Sequence, residues 1–122
     1  MQLDTLDLIV TDVPAAAAFF RDVVGLEARI VEEGYAEFAA GPVTIMLSPG
    51  AMVPTFPARG VLLHFRVDDV AQVLQEARRR GATVLMERRE MSWGWESAMI
   101  QGPEEIVIDF YRPIEERTAS LP

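Results

Sequence analysis

The chain has 122 residues, 50% hydrophobic and 25% charged, which is an ordinary composition for a folded domain and unlike a disordered or membrane-embedded chain. A formal net charge of −8 argues against nucleic acid as a partner, since that affinity comes from Lys and Arg neutralising phosphates. No apolar run reaches the roughly 18 residues needed to span a bilayer, and the absence of cysteine excludes disulfides, thiolate metal sites and Cys nucleophiles.

The first residues, Met1-Gln2-Leu3-Asp4, lack the basic start and apolar core of a secretory signal, so a cytoplasmic location is expected. Residues 3–10 read as a first strand, with Thr5, Asp7 and Ile9 on its more polar face and Leu6, Leu8 and Val10 on the other. Asp12 suits an N-cap, and Pro14 suits a first turn, where its missing N–H would be unpaired anyway. A helix is predicted over 14–24, with Ala16, Ala17, Phe19, Phe20, Val23 and Val24 at helical spacing and Gly25 as its stop. Phe19 and Phe20 read as core rather than ligand stackers. Short strands are predicted over 26–31, 35–39 and 43–47, divided by Glu32-Glu33-Gly34 and Ala40-Gly41-Pro42. Residues 48–60 carry Pro49, Gly50, Pro54, Pro57 and Gly60 and read as a structureless linker, with Met52, Val53 and Phe56 as apolar points along it.

The second half repeats this order. Val10-Thr11-Asp12-Val13 returns as Val67-Asp68-Asp69-Val70, with Val67 standing 57 positions after Val10. A strand is predicted over 61–67, a cap at Asp68 or Asp69, and a helix over 70–80 that turns Val70, Val73, Leu74 and Ala77 inward before Gly81. Arg78, Arg79 and Arg80 complement the helix dipole in its last turn. Strands over 82–88, 96–100 and 106–111 complete the repeat, and residues 113–122 read as a polar tail that frays.

Several motifs carry a resemblance beyond this pattern: Val10-x-Asp12-Val13, the run from Phe19 to Glu27, Phe65-x-Val67-x-Asp69-Val70 and Arg80-Gly81-Ala82. Near the C-terminus stand Trp93-Gly94 and then Gly102-Pro103-Glu104-Glu105-Ile106-Val107-Ile108-Asp109-Phe110. With these the chain resembles the vicinal oxygen chelate superfamily, which groups glyoxalase I, extradiol dioxygenases, fosfomycin-resistance enzymes and bleomycin-resistance proteins. The resemblance implies an α+β fold of two tandem βαβββ modules, whose sheets curl into a mixed sheet around a shared U-shaped cavity. It implies one domain over 1–122, with module one at about 1–48, a linker at 49–60, module two at about 61–112 and the tail at 113–122. A homodimer is also implied, some relatives exchanging modules between chains. The family has Gly where this chain has Glu105, so the turn before the last strand departs from the usual pattern.

Catalytic relatives hold a divalent metal with a His or Gln from each module's first strand and a Glu or His from its last. Such an ion needs hard or borderline ligands converging on it and open positions for a chelating substrate. The first-strand ligand lies five residues before the Val of Val-x-Asp, which here gives Thr5 and Leu62. The last-strand ligand of module one falls at Ile45 or Met46, and that of module two at Asp109. One carboxylate does not hold a catalytic ion, so no cofactor is expected. The alternative is a shifted divalent site built from His64, Asp109 and Asp7, since Asp7 and His64 each stand two residues past the usual position.

Without metal, the resemblance points to binding members such as the bleomycin-resistance proteins, with a small planar or cationic molecule as partner and antibiotic resistance as the role. Thr5, Asp7, Met46, Leu62, His64, Trp93, Trp95, Met99 and Asp109 are the expected lining residues. Trp93 reads first as a structural member of the family's Trp-Gly turn and only second as a ligand contact, which makes Trp95 the better candidate. The alternative function is an enzyme of the lyase or dioxygenase type, using either the shifted metal or metal-free acid–base catalysis by His64 helped by Asp109 or Asp7. A third reading gives the domain a vestigial cavity and makes its dimer contact the point.

Overall fold

A computed structural model describes residues 1–114. The elements run β1 (Thr5–Ile9), α1 (Val13–Ala18), β2 (Glu27–Glu32), β3 (Tyr35–Ala40), β4 (Val43–Ser48), β5 (Arg59–Arg66), α2 (Val70–Arg79), β6 (Val84–Glu90), β7 (Trp95–Gln101) and β8 (Glu105–Pro113). They form two four-stranded mixed sheets, ordered β1-β4-β3-β2 and β5-β8-β7-β6. Strand, helix and three strands thus occur twice, with the same order of strands in each sheet. This is the expected α+β arrangement. The chain divides into two compact units, one of 1–60 with 102–105, the other of 61–101 with 106 onward.

In the first unit β1 runs parallel to β4, while β3 is antiparallel to both β2 and β4. Leu8 of β1 and Val10 just beyond it are buried, as alternation required, together with Ala36, Phe38, Ile45 and Leu47. Asp12 caps α1 by accepting the Ala15 N–H at 3.0 Å. The α-helix expected to continue to Val24 stops at Ala18 instead, and residues Phe19–Val24 form a π-helical turn. Its widened path lets the Phe20 carbonyl accept from both Gly25 and Leu26, at 3.1 and 3.0 Å. Phe20 is thereby fully buried, 6.1 Å from Phe38 between ring centres. Phe19 is only half-buried. Gly25 closes the turn at φ 85, a backbone angle that any side chain would strain.

The linker is less featureless than its composition suggests. The Ala58 N–H donates to the Ile9 carbonyl at 2.7 Å, and β5 begins at Arg59, inside the predicted linker. Met52, Val53 and Phe56 are strongly exposed. The turn before β8 also belongs with the first unit. Glu104 takes the left-handed region at φ 54, one position before the residue at which the family pattern has Gly. Its carboxylate accepts the Thr11 backbone N–H at 2.6 Å and the Thr11 hydroxyl at 2.7 Å, and this holds its pKa below the ordinary carboxylate value.

In the second unit α2 packs on β6 and β7 and buries Val70, Leu74 and Ala77, and Ala98, Ile100, Ile106, Ile108 and Phe110 of β7 and β8 are buried as well. Of the two aspartates offered as caps, Asp69 is the one that bonds, accepting the Gln72 N–H at 3.0 Å. The tail begins later than predicted. Pro113 ends β8 and Ile114 is buried, its N–H donating to the Gly94 carbonyl at 2.8 Å, while the rest of that segment lies outside the described residues.

Candidate functional site

Register on the second sheet decides which side chains share a face. Ser97 stands opposite Tyr111, and Met99 opposite Asp109. Alternation therefore sets Trp95, Ser97 and Met99 of β7 on one side with Asp109 and Tyr111 of β8, away from the helix. On β5 the same period sets Leu62, His64 and Arg66 on one face.

His64 and Asp109, 45 residues apart, meet here. Oδ2 of Asp109 lies 2.6 Å from Nδ1 of His64. Asp109 is 1% exposed, and its other oxygen, Oδ1, is buried without a hydrogen-bond partner among the described residues. The His64 side chain, by contrast, is 38% exposed. A buried carboxylate with one partner depends strongly on that partner. Asp109 therefore fixes the ring's orientation through Nδ1.

Two aromatic rings flank the pair. Trp95 and Tyr111 stack at 4.1 Å with an interplanar angle of 25°. His64 meets Trp95 at 5.5 Å and Tyr111 at 6.1 Å, edge to face in both cases. Stacks of this kind contribute about 0.5–1.5 kcal/mol beyond the area they bury. Sequence reasoning missed Tyr111, although it stands two residues past Asp109 and so had to share its face. It also missed Ser97, 1% exposed on the same face, whose hydroxyl is buried without a partner among the described residues.

The other predicted lining residues are more scattered. Leu62 is 42% exposed on β5, and Met99 is half-buried opposite Asp109. Trp93 is not part of the aromatic group; it is 42% exposed in the turn before β7. Thr5, Asp7 and Met46 lie in the first unit. Asp7 stands beside Met46, which in turn faces Glu37 on β3, so two carboxylates flank one thioether. Asp7 accepts from the Ser48 hydroxyl, and Thr5 donates to Asp4 at 2.9 Å. The Tyr35 hydroxyl donates to Glu37 at 2.6 Å, and that bond, with burial and the nearby charges of Glu37 and Asp7, pushes the Tyr35 pKa up to about 12.

On the opposite side of the second sheet, Glu96 is 5% exposed between two arginines. It accepts from Arg88 Nε at 2.9 Å and lies 3.1 Å from Arg112 Nη2. The Arg88 hydrogen bond, acting against burial, holds Glu96 below the ordinary carboxylate pKa and raises that of Arg88. This cluster ties β6, β7 and β8 together and plays no part in the aromatic face.

The residues present do not suit the family's divalent ion. Leu62 has no donor atom, Ile45 is buried in the core, Met46 offers one soft thioether, and the Thr5 hydroxyl is engaged with Asp4. Asp109 is committed to His64. Among the described residues no three His, Cys, Asp or Glu side chains gather into a metal-holding group.

The βαβββ order, present twice, defines a class of small α+β proteins, and in the second unit His64 of its first strand meets Asp109 of its last. The chain belongs to the Glyoxalase/Bleomycin resistance protein/Dioxygenase superfamily, whose family model matches residues 2–110. Among solved structures it is similar to one described only as a conserved domain protein, at 35% identity and a TM-score of 0.85, covering 93% of this chain and 99% of that one. It is also similar to TnmS3, an antibiotic binding protein from Streptomyces sp. CB03234, at 25% identity and TM-score 0.74, covering 93% and 96%. Lactoylglutathione lyase from Agrobacterium tumefaciens shares the fold, at 22% identity and TM-score 0.73 over 91% and 92%. No curated protein sequence matches the chain.

Proposed function

We propose that the protein binds a planar or cationic small molecule against the His64, Asp109, Trp95 and Tyr111 face, without the metal usual in its family. The observation that carries this reading is the Trp95–Tyr111 stack at 4.1 Å, set beside an oriented, partly exposed imidazole. An aromatic stack offers an outer π-face to a flat ring and attracts cations. Met99, half-buried on the same face, adapts its shape to such a ligand. Similarity to TnmS3 supports sequestration of an antibiotic as the physiological setting, and a cytoplasmic homodimer belongs to the same proposal. Titration with bleomycin and with planar acridine cations, followed by Trp fluorescence, is expected to quench the wild type and to quench Trp95→Phe far less. Silence across that panel would overturn the binding reading.

One observation favours a second reading. A buried carboxylate holding Nδ1 is also how an enzyme orients a histidine for general acid–base work at Nε2. In that case His64 would move the proton of a bound substrate and Asp109 would orient it, with no metal required. Turnover of a bound compound, abolished in His64→Gln with affinity retained, would favour this enzyme over the binding protein. A stoichiometric divalent ion in the purified protein would overturn the metal-free part of both readings.

A further inference from the structure

The hydrogen-bond roles inside the His64–Asp109 pair restrict what a ligand must offer. Oδ2 of Asp109 accepts, so the bond at 2.6 Å is donated by the Nδ1–H of the imidazole. A neutral ring with its proton on Nδ1 presents a bare lone pair at Nε2. The other tautomer would set the Nδ1 lone pair against a carboxylate oxygen at that distance, which is repulsive. Asp109 has no second partner among the described residues to turn it away, since Oδ1 is buried and unbonded. No hydrogen bond to Nε2 is made within the described residues, and the side chain is 38% exposed beside the aromatic stack.

We infer, building on the binding reading above, that the site selects planar rings carrying an O–H or N–H donor on their rim, accepted by Nε2 of His64 while the ring extends the Trp95–Tyr111 stack. A rim that offers only acceptors brings lone pair against lone pair and leaves Nε2 desolvated without a partner. Selectivity therefore resides in one nitrogen whose protonation is set by a carboxylate that the ligand never touches. In this scheme His64 contacts the ligand and Asp109 is a positioning residue.

The test compares 2-naphthol with 2-methoxynaphthalene, which differ in the rim donor and share the ring. Isothermal titration at pH 8 keeps the naphthol O–H in place, below the phenol range of about 10. One added hydrogen bond, together with the unpaired acceptor it avoids, predicts binding of 2-naphthol about tenfold tighter. In His64→Phe the two probes are expected to bind alike. In Asp109→Asn the carboxamide donates to Nδ1, the ring proton moves to Nε2, and the preference for the naphthol is lost; ring ¹⁵N shifts of His64 report that tautomer directly. Equal affinity of the two probes for the wild type overturns the donor requirement while leaving ring binding intact. A naphthol preference that survives His64→Phe overturns its assignment to Nε2, and binding of neither probe overturns the inference and the ring-binding reading together.

Discussion

Glu96→Gln is expected to destabilise the protein by about 2 kcal/mol near neutral pH, through the sheet of the second unit. The carboxylate is 5% exposed and joins Arg88, at 2.9 Å, to Arg112, at 3.1 Å. Each hydrogen bond to a charged partner contributes about 1.5–3 kcal/mol, and breaking a fully buried pair costs about 3–5 kcal/mol. Both arginine side chains are nearly half exposed, at 44% and 45%, so water recovers much of that loss. Gln also keeps one accepting oxygen, which brings the net cost to about 2 kcal/mol, or roughly 6–10 °C in melting temperature for a chain of this size. Circular dichroism during thermal unfolding measures it. The folded-state pKa of Glu96 is lowered by Arg88, so its stabilisation is present above the unfolded-state value and is lost as pH falls through the folded one. The gap between wild type and Glu96→Gln is thus full at pH 7 and closes in acid, below about pH 4. A gap absent at pH 7, or equally large at pH 3, would refute the reasoning.

Trp95→Ala should weaken binding of planar ligands by roughly tenfold, read by titration calorimetry, because it removes one member of the stack. Asp12→Ala and Asp69→Ala should each lower stability by about 1 kcal/mol in urea titrations, since each carboxylate caps its helix through one N–H. Glu104→Gly should melt at a higher temperature than Glu104→Ala: both lose the Thr11 bonds, but only Gly relieves the backbone at φ 54. Excess Zn²⁺, Ni²⁺ or Mn²⁺ should leave the melting temperature unchanged, because the ligand positions hold Thr5 and Leu62; a rise of several degrees would show a site the donor set does not reveal.

The two-fold plan of the chain was legible in its residues. Val-x-Asp-Val, a helix and a stopping glycine occur twice, and alternation in the strands named the buried face of β1 and the inward face of α2. These features are local: a cap bonds three residues ahead, and a helical or strand period is set by neighbours. The π-turn was not legible. Over six residues Phe19–Val24 fit a helical period well enough, and packing of Phe20 against Phe38 accompanies the wider path. The later start of the tail was hidden for a similar reason, since Ile114 is buried beside a turn 20 positions earlier, through its bond to Gly94.

Sequence alone thus determined the family, the repeat and the absence of the usual ligands at Thr5 and Leu62, because each rests on residue identity at fixed spacing. His64 and Asp109 could both be named from the chain. Their union at 2.6 Å, the stack of Trp95 on Tyr111, and the separate fate of Trp93 were decided only by the tertiary structure. The reason is strand register. A slip of one residue would turn Asp109 and Tyr111 to the helix side, and nothing within a single strand fixes that choice until its neighbours are in place.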